Sequence, residues 1–375
     1  MRGAGVRVLV VGAGIAGLAA AGTLRRWGAT VEVVERLPGP APRGAGIYLP
    51  GNAVRMPDTL GWGSAVRERA VPIGRQRTAD HGGRLLFDVD TTQLWAGVGP
   101  CLALSRADLH HVLLAGLASD VPVRWACGPQ ALHPVPGGVA VAFDDGTSDR
   151  YDLVIGADGA HSTVRGLLLP AGALRPVGQH ARRFLIPAGD VRDGDPVATW
   201  SLRLGPRSAF LTIPLGNGTL YCYCDGPVAH PPTPLRELFD GFAEPVPTLL
   251  HRLRTTGTAV HAGPIEEVVL DRWSRDGVLL VGDAAHATSP NLAQGAAMAL
   301  EDACVLAEEL AGAGGLGEAL TAFEHRRRPR TGWVRAQTRR RDRTRSVPPA
   351  IRDTVLTHLG RHLVRAHHRP LRARP

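Results

Sequence analysis

The stretch Val6-Arg-Val-Leu-Val-Val-Gly12-Ala-Gly14-Ile15-Ala16-Gly17, continuing to Trp27 and then to Val31-Glu-Val-Val-Glu35, decides the fold. An apolar run of strand length meets a glycine turn. The turn opens a helix from Ile15 to Trp27, packed by Leu18 and Leu24, and a second strand ends on Glu35. In this strand, turn, helix, strand order, Gly12 permits the tight turn and Gly14 lets a pyrophosphate approach the backbone. Gly17 allows the helix to lie close to the strand. The phosphates would rest on the helix N-terminus, and Glu35 would accept hydrogen bonds from the adenosine ribose. By itself the motif does not separate FAD from NAD. The same stretch is apolar enough to be mistaken for a secretory leader or a membrane span, but its glycines have functional spacing and no other segment approaches spanning length. No membrane span and a cytoplasmic location are therefore expected.

Two further strand ends carry the same kind of signal. Asp152-Leu-Val-Ile-Gly156-Ala-Asp158-Gly159-Ala-His-Ser162-Thr-Val-Arg165 delivers an acid and a glycine to a turn. Val278 to Val281 ends in Gly282-Asp283-Ala-Ala-His286, followed by Ser289-Pro290-Asn291-Leu-Ala-Gln294-Gly295-Ala296. Ligands bind at the carboxyl ends of parallel strands. Three such ends in one chain point to one large dinucleotide.

Outward from these motifs, Pro38 to Gly51 reads as an ordered loop over a ligand, and Ser105 to Leu117 as a helix with Ser105 as its N-cap. Asp144-Asp145-Gly146-Thr147 signals a hairpin turn. Alternating runs between about Gly189 and Val269 predict an antiparallel sheet. A helix is expected from about Leu292 to Leu310, and the last fifty residues read as helical with proline breaks. The expected fold class is α/β: a Rossmann-like dinucleotide-binding domain with an inserted antiparallel β-sheet substrate domain and a C-terminal helical segment. The expected division is 1–71, 98–174 and 266–324 for the cofactor domain, 72–97 and 175–265 for the substrate sheet, and 325–375 for Arg-rich helices.

The 375 residues carry a net charge of +9, which raises the question of nucleic acid. Residues 325–375 hold 16 Arg against 2 acids, whereas residues 1–324 hold 27 Arg against 32 acids, and Lys is absent. So local a basicity reads as a solvated Arg-rich helix, not as a nucleic-acid face. Five cysteines without framework spacing suit a reducing compartment. Cys222-Tyr-Cys224 lacks a second ligand pair, so no metal site is expected.

Together the three segments resemble the fingerprint, Asp-Gly and Gly-Asp motifs of the group A flavin monooxygenases, the p-hydroxybenzoate hydroxylase fold, which includes salicylate, 6-hydroxynicotinate and urate hydroxylases and zeaxanthin epoxidase. The resemblance extends to Arg43-Gly-Ala45-Gly46-Ile-x-Leu-x-x-Asn52-Ala53, Ser105-Arg106-x-x-Leu109 and Phe323-Glu-His-Arg-Arg-Arg-Pro-Arg330. It implies tightly bound FAD. Asp283 would hold the ribityl chain, Arg106 would lie along the flavin and pyrophosphate, and Asp158 would serve nicotinamide and flavin contacts. Arg36, Arg43, Ala45, Gly46, Gly159, Gly282 and Pro290 complete the implied cofactor set. The amides of Gly295 and Ala296 at the following helix N-terminus would stabilise negative charge on reduced flavin. Two departures stand out: Ala293 replaces a glycine common among relatives, and Arg55-Met-Pro57-Asp58 interrupts a stretch that relatives run as a helix.

The implied reaction is hydride transfer from transiently bound NADPH or NADH to FAD. O2 is then captured as a flavin C4a-hydroperoxide, and one oxygen atom passes to an electron-rich aromatic or polyketide-like small molecule, in a monomer or homodimer. Substrate-pocket candidates are Tyr48, Arg203, Thr212, Tyr221, Tyr223 and Pro290; Tyr221 and Tyr223 share a strand face by alternation. His161 and His286 read as structural neighbours, and no catalytic base is named. A double-bond reductase on the same fold is the enzymatic alternative, since the Trp-x-Trp-x-Ile-Pro signature and lysine of halogenases are missing. A non-catalytic flavin binder is the third reading.

Overall fold

Val8, Leu9 and Val10 have no exposed surface, which is what a strand covered on both faces requires. In the computed structural model, which describes residues 3–40, 45–117, 119–169, 172–189, 197–216, 218–229 and 233–375, the strand Arg7–Val11 pairs in parallel with Thr30–Glu35 on one side and Leu153–Gly156 on the other. Val278–Leu280 lies parallel beyond Leu153–Gly156, and Ser274–Arg275 and Val123–Trp125 close the two edges of this six-stranded sheet. The three motif strands are thus neighbours running the same way. Their carboxyl ends emerge along one edge, which brings Gly12, Asp158 and Asp283 to a common site.

The opening helix occupies Ile15–Trp27 and ends on Gly28, whose φ of 107° only glycine adopts freely. It packs against the long helix Gly295–Gly312. A second sheet of seven strands runs in the order His261–Val268, Leu174–Pro187, Thr219–Pro227, Ala209–Gly216, Thr199–Leu204, Arg75–Asp80, Leu85–Asp90. It is antiparallel throughout except where Thr199–Leu204 lies parallel to Arg75–Asp80. Its two faces are distinct. Phe184, Phe210, Cys222 and Cys224 belong to a small core behind the sheet, capped by the helix Val246–Thr256, and burial pushes the Cys224 thiol up to about 12.

Several elements differ from expectation for identifiable reasons. The stretch Pro38 to Gly51 is not a continuous loop: Gly46–Leu49 forms a strand paired with Leu102–Ser105, and a helix begins at Gly51. That helix, Gly51–Thr59, runs through Pro57 instead of being interrupted. Pro57 falls in its last turn, where a missing N–H costs a single intrahelical bond. Leu316–Thr344 likewise continues through Pro329, and the true break comes at Pro348 before the last helix, Pro349–His368. The cradle helix starts at Gly295, later than Leu292, because Pro290–Leu292 forms a 3-10 turn and Ala293 takes a left-handed φ of 52°.

The C-terminal arginines do not form a merely solvated face. Arg327 has no exposed surface and binds Glu301 and Asp302, each at 2.8 Å. Arg330 joins Glu301 at 2.7 Å, Arg345 reaches Asp225 at 2.8 Å, and Arg339 pairs with Glu267. The sequence-wide count had hidden acids from distant segments that neutralise this helix.

Candidate functional site

One cavity of about 1460 Å³ opens at the shared strand edge and runs between the two sheets. Its floor is the glycine turn. Gly12 has φ 106°, and a Cβ there would lie 2.6 Å from the carbonyl oxygen of Ala157. A Cβ on Gly17 would lie 1.8 Å from the carbonyl oxygen of Gly12, so the helix could not approach the strand. At Gly14 nothing stands within 4 Å, and the residue lines the cavity with Ile15 and Ala16. A ligand is what would fill the space a side chain leaves there. No side chain caps the N-terminus of Ile15–Trp27, and its first turn holds no acid. Its amides are therefore available to an anion.

Glu35 and Arg36 line the cavity beside this turn. The Glu35 carboxylate accepts hydrogen bonds from the amides of Ala13 (2.9 Å) and Leu37 (3.0 Å). The Asp-Gly motif is built differently. Both Asp158 oxygens are engaged within its own turn: one accepts from the Ser162 hydroxyl at 2.5 Å, the other from the amides of Thr163 (2.6 Å) and Val164 (3.1 Å). Asp158 therefore caps the short helix Thr163–Leu168 while presenting itself, with Gly159, at the cavity wall. Arg165 links this motif to the next by donating to the carbonyl of Ala284 at 3.0 Å.

In the Gly-Asp motif, Gly282 is buried at φ 57°, and a Cβ there would press on Ala16 at 2.7 Å. It sets the turn without lining the cavity. Asp283 is exposed on the cavity wall, and its carboxylate has no hydrogen-bond partner among the described residues. Pro290, Gly295 and Ala296 line the same wall. The helix Gly295–Gly312 has no side-chain cap, so two bare helix N-termini face one cavity. Behind them lies the buried ionic network: Asp302 accepts from the Gly282 amide at 2.8 Å and contacts His286 at 2.7 Å, and Asn52 bridges Gln294 and Glu301. His286 is thereby held as a structural group. His161 lines the cavity and pairs with Glu266 at 2.9 Å.

Arg106 projects from the first turn of Arg106–Ala115, where the Ser105 hydroxyl accepts from the Asp108 amide at 2.9 Å. Burial lowers its pKa, opposed by the charge of Asp283. Among the described residues the guanidinium has no ion-pair partner, which leaves it available to an anionic ligand. Ala45 is buried behind the wall and accepts the Arg106 amide at 3.0 Å. Gly46 has a packing reason: a Cβ would lie 2.4 Å from the Tyr221 ring. Arg43 lies outside the described residues.

The opposite wall is the second sheet. Alternation puts Leu202, Leu204, Leu211, Ile213, Tyr221 and Tyr223 on the cavity face. By the same alternation Arg203 and Thr212 point the other way and line a separate small cavity with Glu244 and Pro245. These two are removed from the substrate set: a residue one step out of phase along a strand faces the other side. Tyr48 sits in the strand Gly46–Leu49, not on a loop, and its hydroxyl accepts from Gln76 at 3.1 Å. The Tyr223 hydroxyl donates to Asp225 at 2.9 Å. Burial raises the pKa of all three tyrosines, so each is a neutral phenol at pH 7.

Sequence reasoning missed Arg183 and the whole third wall. Arg183 lies opposite Tyr223 in the ladder, with its guanidinium 5.4 Å from the ring centroid, and interacts with the Tyr221 hydroxyl. The phase of His180-Ala-Arg-Arg183-Phe184 against buried Phe184 was the available signal. The third wall is the last helix, which supplies Leu356, Val364 and His368. Nothing local in the sequence says that residues so distant return to the site.

The family profile described as an FAD binding domain matches residues 5–175 and 247–337. The chain is 36% identical over 361 residues to 3-amino-4-hydroxybenzoate 2-monooxygenase of Streptomyces cremeus, covering 89% of this chain and 86% of that protein. It is 33% identical to 2-heptyl-3-hydroxy-4(1H)-quinolone synthase of Pseudomonas aeruginosa, covering 88% and 87%. Among solved structures, HpxO of Klebsiella pneumoniae complexed with FAD and uric acid superposes with a TM-score of 0.82 at 27% identity, covering 99% of this chain and 94% of that one. An open glycine turn, two bare helix N-termini, and an Arg106 and an Asp283 without ion-pair partners among the described residues fit an FAD molecule, and with these likenesses the chain belongs to the FAD binding domain family, among the group A flavin-dependent monooxygenases.

Proposed function

We propose that this enzyme consumes NADPH or NADH and O2 to hydroxylate an electron-rich aromatic or polyketide-like small molecule. In balance, substrate, O2, NAD(P)H and a proton give hydroxylated substrate, NAD(P)+ and water. The observation that carries this reading is the continuity of the cavity from the glycine turn to the tyrosine-bearing face of the second sheet. A cofactor and a small ring have room to meet there away from bulk water. When bound, the flavin supplies the hydride acceptor and the oxygen-activating centre.

The rest falls to the protein. Gly14 and the first helix would receive the pyrophosphate, Asp283 the ribityl hydroxyls, and Arg106 neighbouring negative charge. The amides of Gly295 and Ala296 would stabilise negative charge at the pyrimidine end of the ring system. Asp158, whose oxygens are bound in its own turn, would contribute through the shape of that turn together with Gly159. On the facing wall, Arg183 and the Tyr221 hydroxyl would orient a phenolate, carboxylate or carbonyl of the substrate, and Tyr48, Tyr223 and Pro290 would bound the ring.

The names of the relatives support hydroxylation of aromatic and heteroaromatic rings, and no observation favours the double-bond reductase. No helix among the described residues is long and apolar enough to cross a membrane. The protein should purify yellow. With a substrate, it should consume O2 and NAD(P)H and place oxygen from 18O2 in the product. A colourless protein that takes up no flavin, or product labelled from water alone, would overturn the proposal.

A further inference from the structure

The last helix carries Ile351, Val355, Leu359 and Leu363, four large apolar side chains at a strict spacing of four. All are exposed, at 59%, 43%, 50% and 37%. An apolar stripe of this kind on a helix surface needs a partner. Three of the four, Ile351, Val355 and Leu363, line the cavity, whereas Leu359 does not. The stripe is therefore largely a wall of the active-site cavity, not a free outer surface.

The helix is held in that place. A Cβ on Gly360 would lie 2.2 Å from the Phe87 ring, so glycine lets the helix rest directly on the edge strand Leu85–Asp90. Arg352 donates to the carbonyl of Gly205 at 2.6 Å, and Arg361 pairs with Asp88 at 2.5 Å. His368 closes the far end, edge-on to Trp95 with ring centroids 5.4 Å apart. The second sheet lines the same cavity with the apolar side chains Trp200, Leu202, Leu204 and Leu211. The result is a space between helix and sheet in which apolar side chains line both sides, with Arg352 and His368 of the helix at its margins, and it belongs to the same cavity as Tyr221 and Arg183.

We infer that this slot binds an alkyl or prenyl chain, so that the substrate is an aromatic ring bearing a lipophilic tail. The ring sits by Arg183 and Tyr221, and the tail lies between the last helix and the sheet. The inference rests on the monooxygenase reading for the placement of the ring, but the tail site is an independent physical claim. Each buried methylene should tighten binding by about fourfold. Ring-only substrates would leave the slot filled with water against apolar walls.

The test is isothermal titration calorimetry of the FAD-loaded enzyme with 4-ethylphenol, 4-butylphenol and 4-hexylphenol. The dissociation constant should fall by about tenfold or more for each added pair of methylenes. Val355→Asp and Leu363→Asp, both at exposed positions, should abolish that gradient while retaining the flavin absorbance. Leu359→Asp, on the same stripe but off the cavity, should preserve it. A dissociation constant independent of chain length, no binding by any member, or an equal loss in Leu359→Asp would overturn the inference. Oxygen uptake, measured separately, keeps the two readings apart. A chain-length gradient without O2 consumption would sink the monooxygenase and leave the tail site standing. O2 consumption driven equally by short and long phenols would do the reverse.

Discussion

Asp283 stands on the cavity wall with no hydrogen-bond partner among the described residues, so its removal should cost the fold little and a bound ribityl chain much. Asp283→Ala should weaken FAD by about tenfold or more, roughly the value of one or two charge-assisted hydrogen bonds. Flavin retained on a desalting column would read this, while the denaturation midpoint of the flavin-free protein should hardly move. Ala293 presents the opposite case. It adopts a left-handed φ of 52° just before the cradle helix, which costs a non-glycine residue about 1 kcal/mol. Ala293→Gly should therefore raise stability by up to about 1 kcal/mol, less whatever entropy the unfolded glycine gains. A fall in the urea midpoint would refute that account. At this scale the glycines were the most legible residues, because each answers a local demand of turn or close approach. Arg203 and Thr212 were misplaced because the phase of a strand cannot be read where polar and apolar residues mix on both faces. Arg183, by contrast, was missed although the phase of its strand against buried Phe184 could have placed it on the cavity face.

At the level of elements, the buried ionic network ties three of them together. Arg327 joins the helix Leu316–Thr344 to Glu301 and Asp302 of the cradle helix, and Asp302 in turn holds the Gly282 turn. Arg327→Met takes a fully buried cation from Asp302 and Glu301, leaving His286 on the first and Arg330 on the second, and should cost about 3 kcal/mol. Flavin affinity should fall with it, because the turn bearing Asp283 loses its anchor. Unchanged stability in a denaturant titration would show that the network is dispensable. The last helix should respond to pH. Burial depresses His368 to about 4, and the ring is packed on Trp95 with Nδ1 2.8 Å from the Val364 carbonyl. The folded state prefers the neutral ring, so its contribution is complete above the unfolded pKa of about 6.5 and is lost as pH falls from there toward 4. Asp342, raised to about 6 by burial, acts in the opposite sense: it favours the protonated folded form and weakens stability as pH rises through that range. The two separate by difference. His368→Gln should flatten the loss between pH 6.5 and 4, and an unaltered slope would reject the assignment. The bounds of Ile15–Trp27 were readable from sequence, whereas the helices spanning Pro57 and Pro329 were not, since tertiary packing can outweigh one lost hydrogen bond.

For the whole molecule, the sequence showed an α/β unit with an inserted sheet because period-2 and glycine-turn signals are local. It did not show that Thr199–Leu204 pairs with Arg75–Asp80, or that residues 349–368 wall the cavity, because such closures depend on distant surfaces meeting. One consequence concerns time. The strand Arg7–Val11 needs Leu153–Gly156, made much later in the chain, as its neighbour, and the sheet needs Val278–Leu280 beyond that. The second helix N-terminus facing the cofactor begins only at Gly295. Long-range pairings of this kind form late. A chain ending at residue 270 should therefore hold no flavin when purified, and flavin retained by it would contradict this order of assembly. During synthesis the turn at Gly12 must wait for the segment that reaches Gly295 before a cofactor can be held between them. FAD would then act as a clasp between parts of the chain made far apart in time, and scarcity of flavin in the cell would leave the Gly12 turn and the helix at Gly295 without the ligand that joins them.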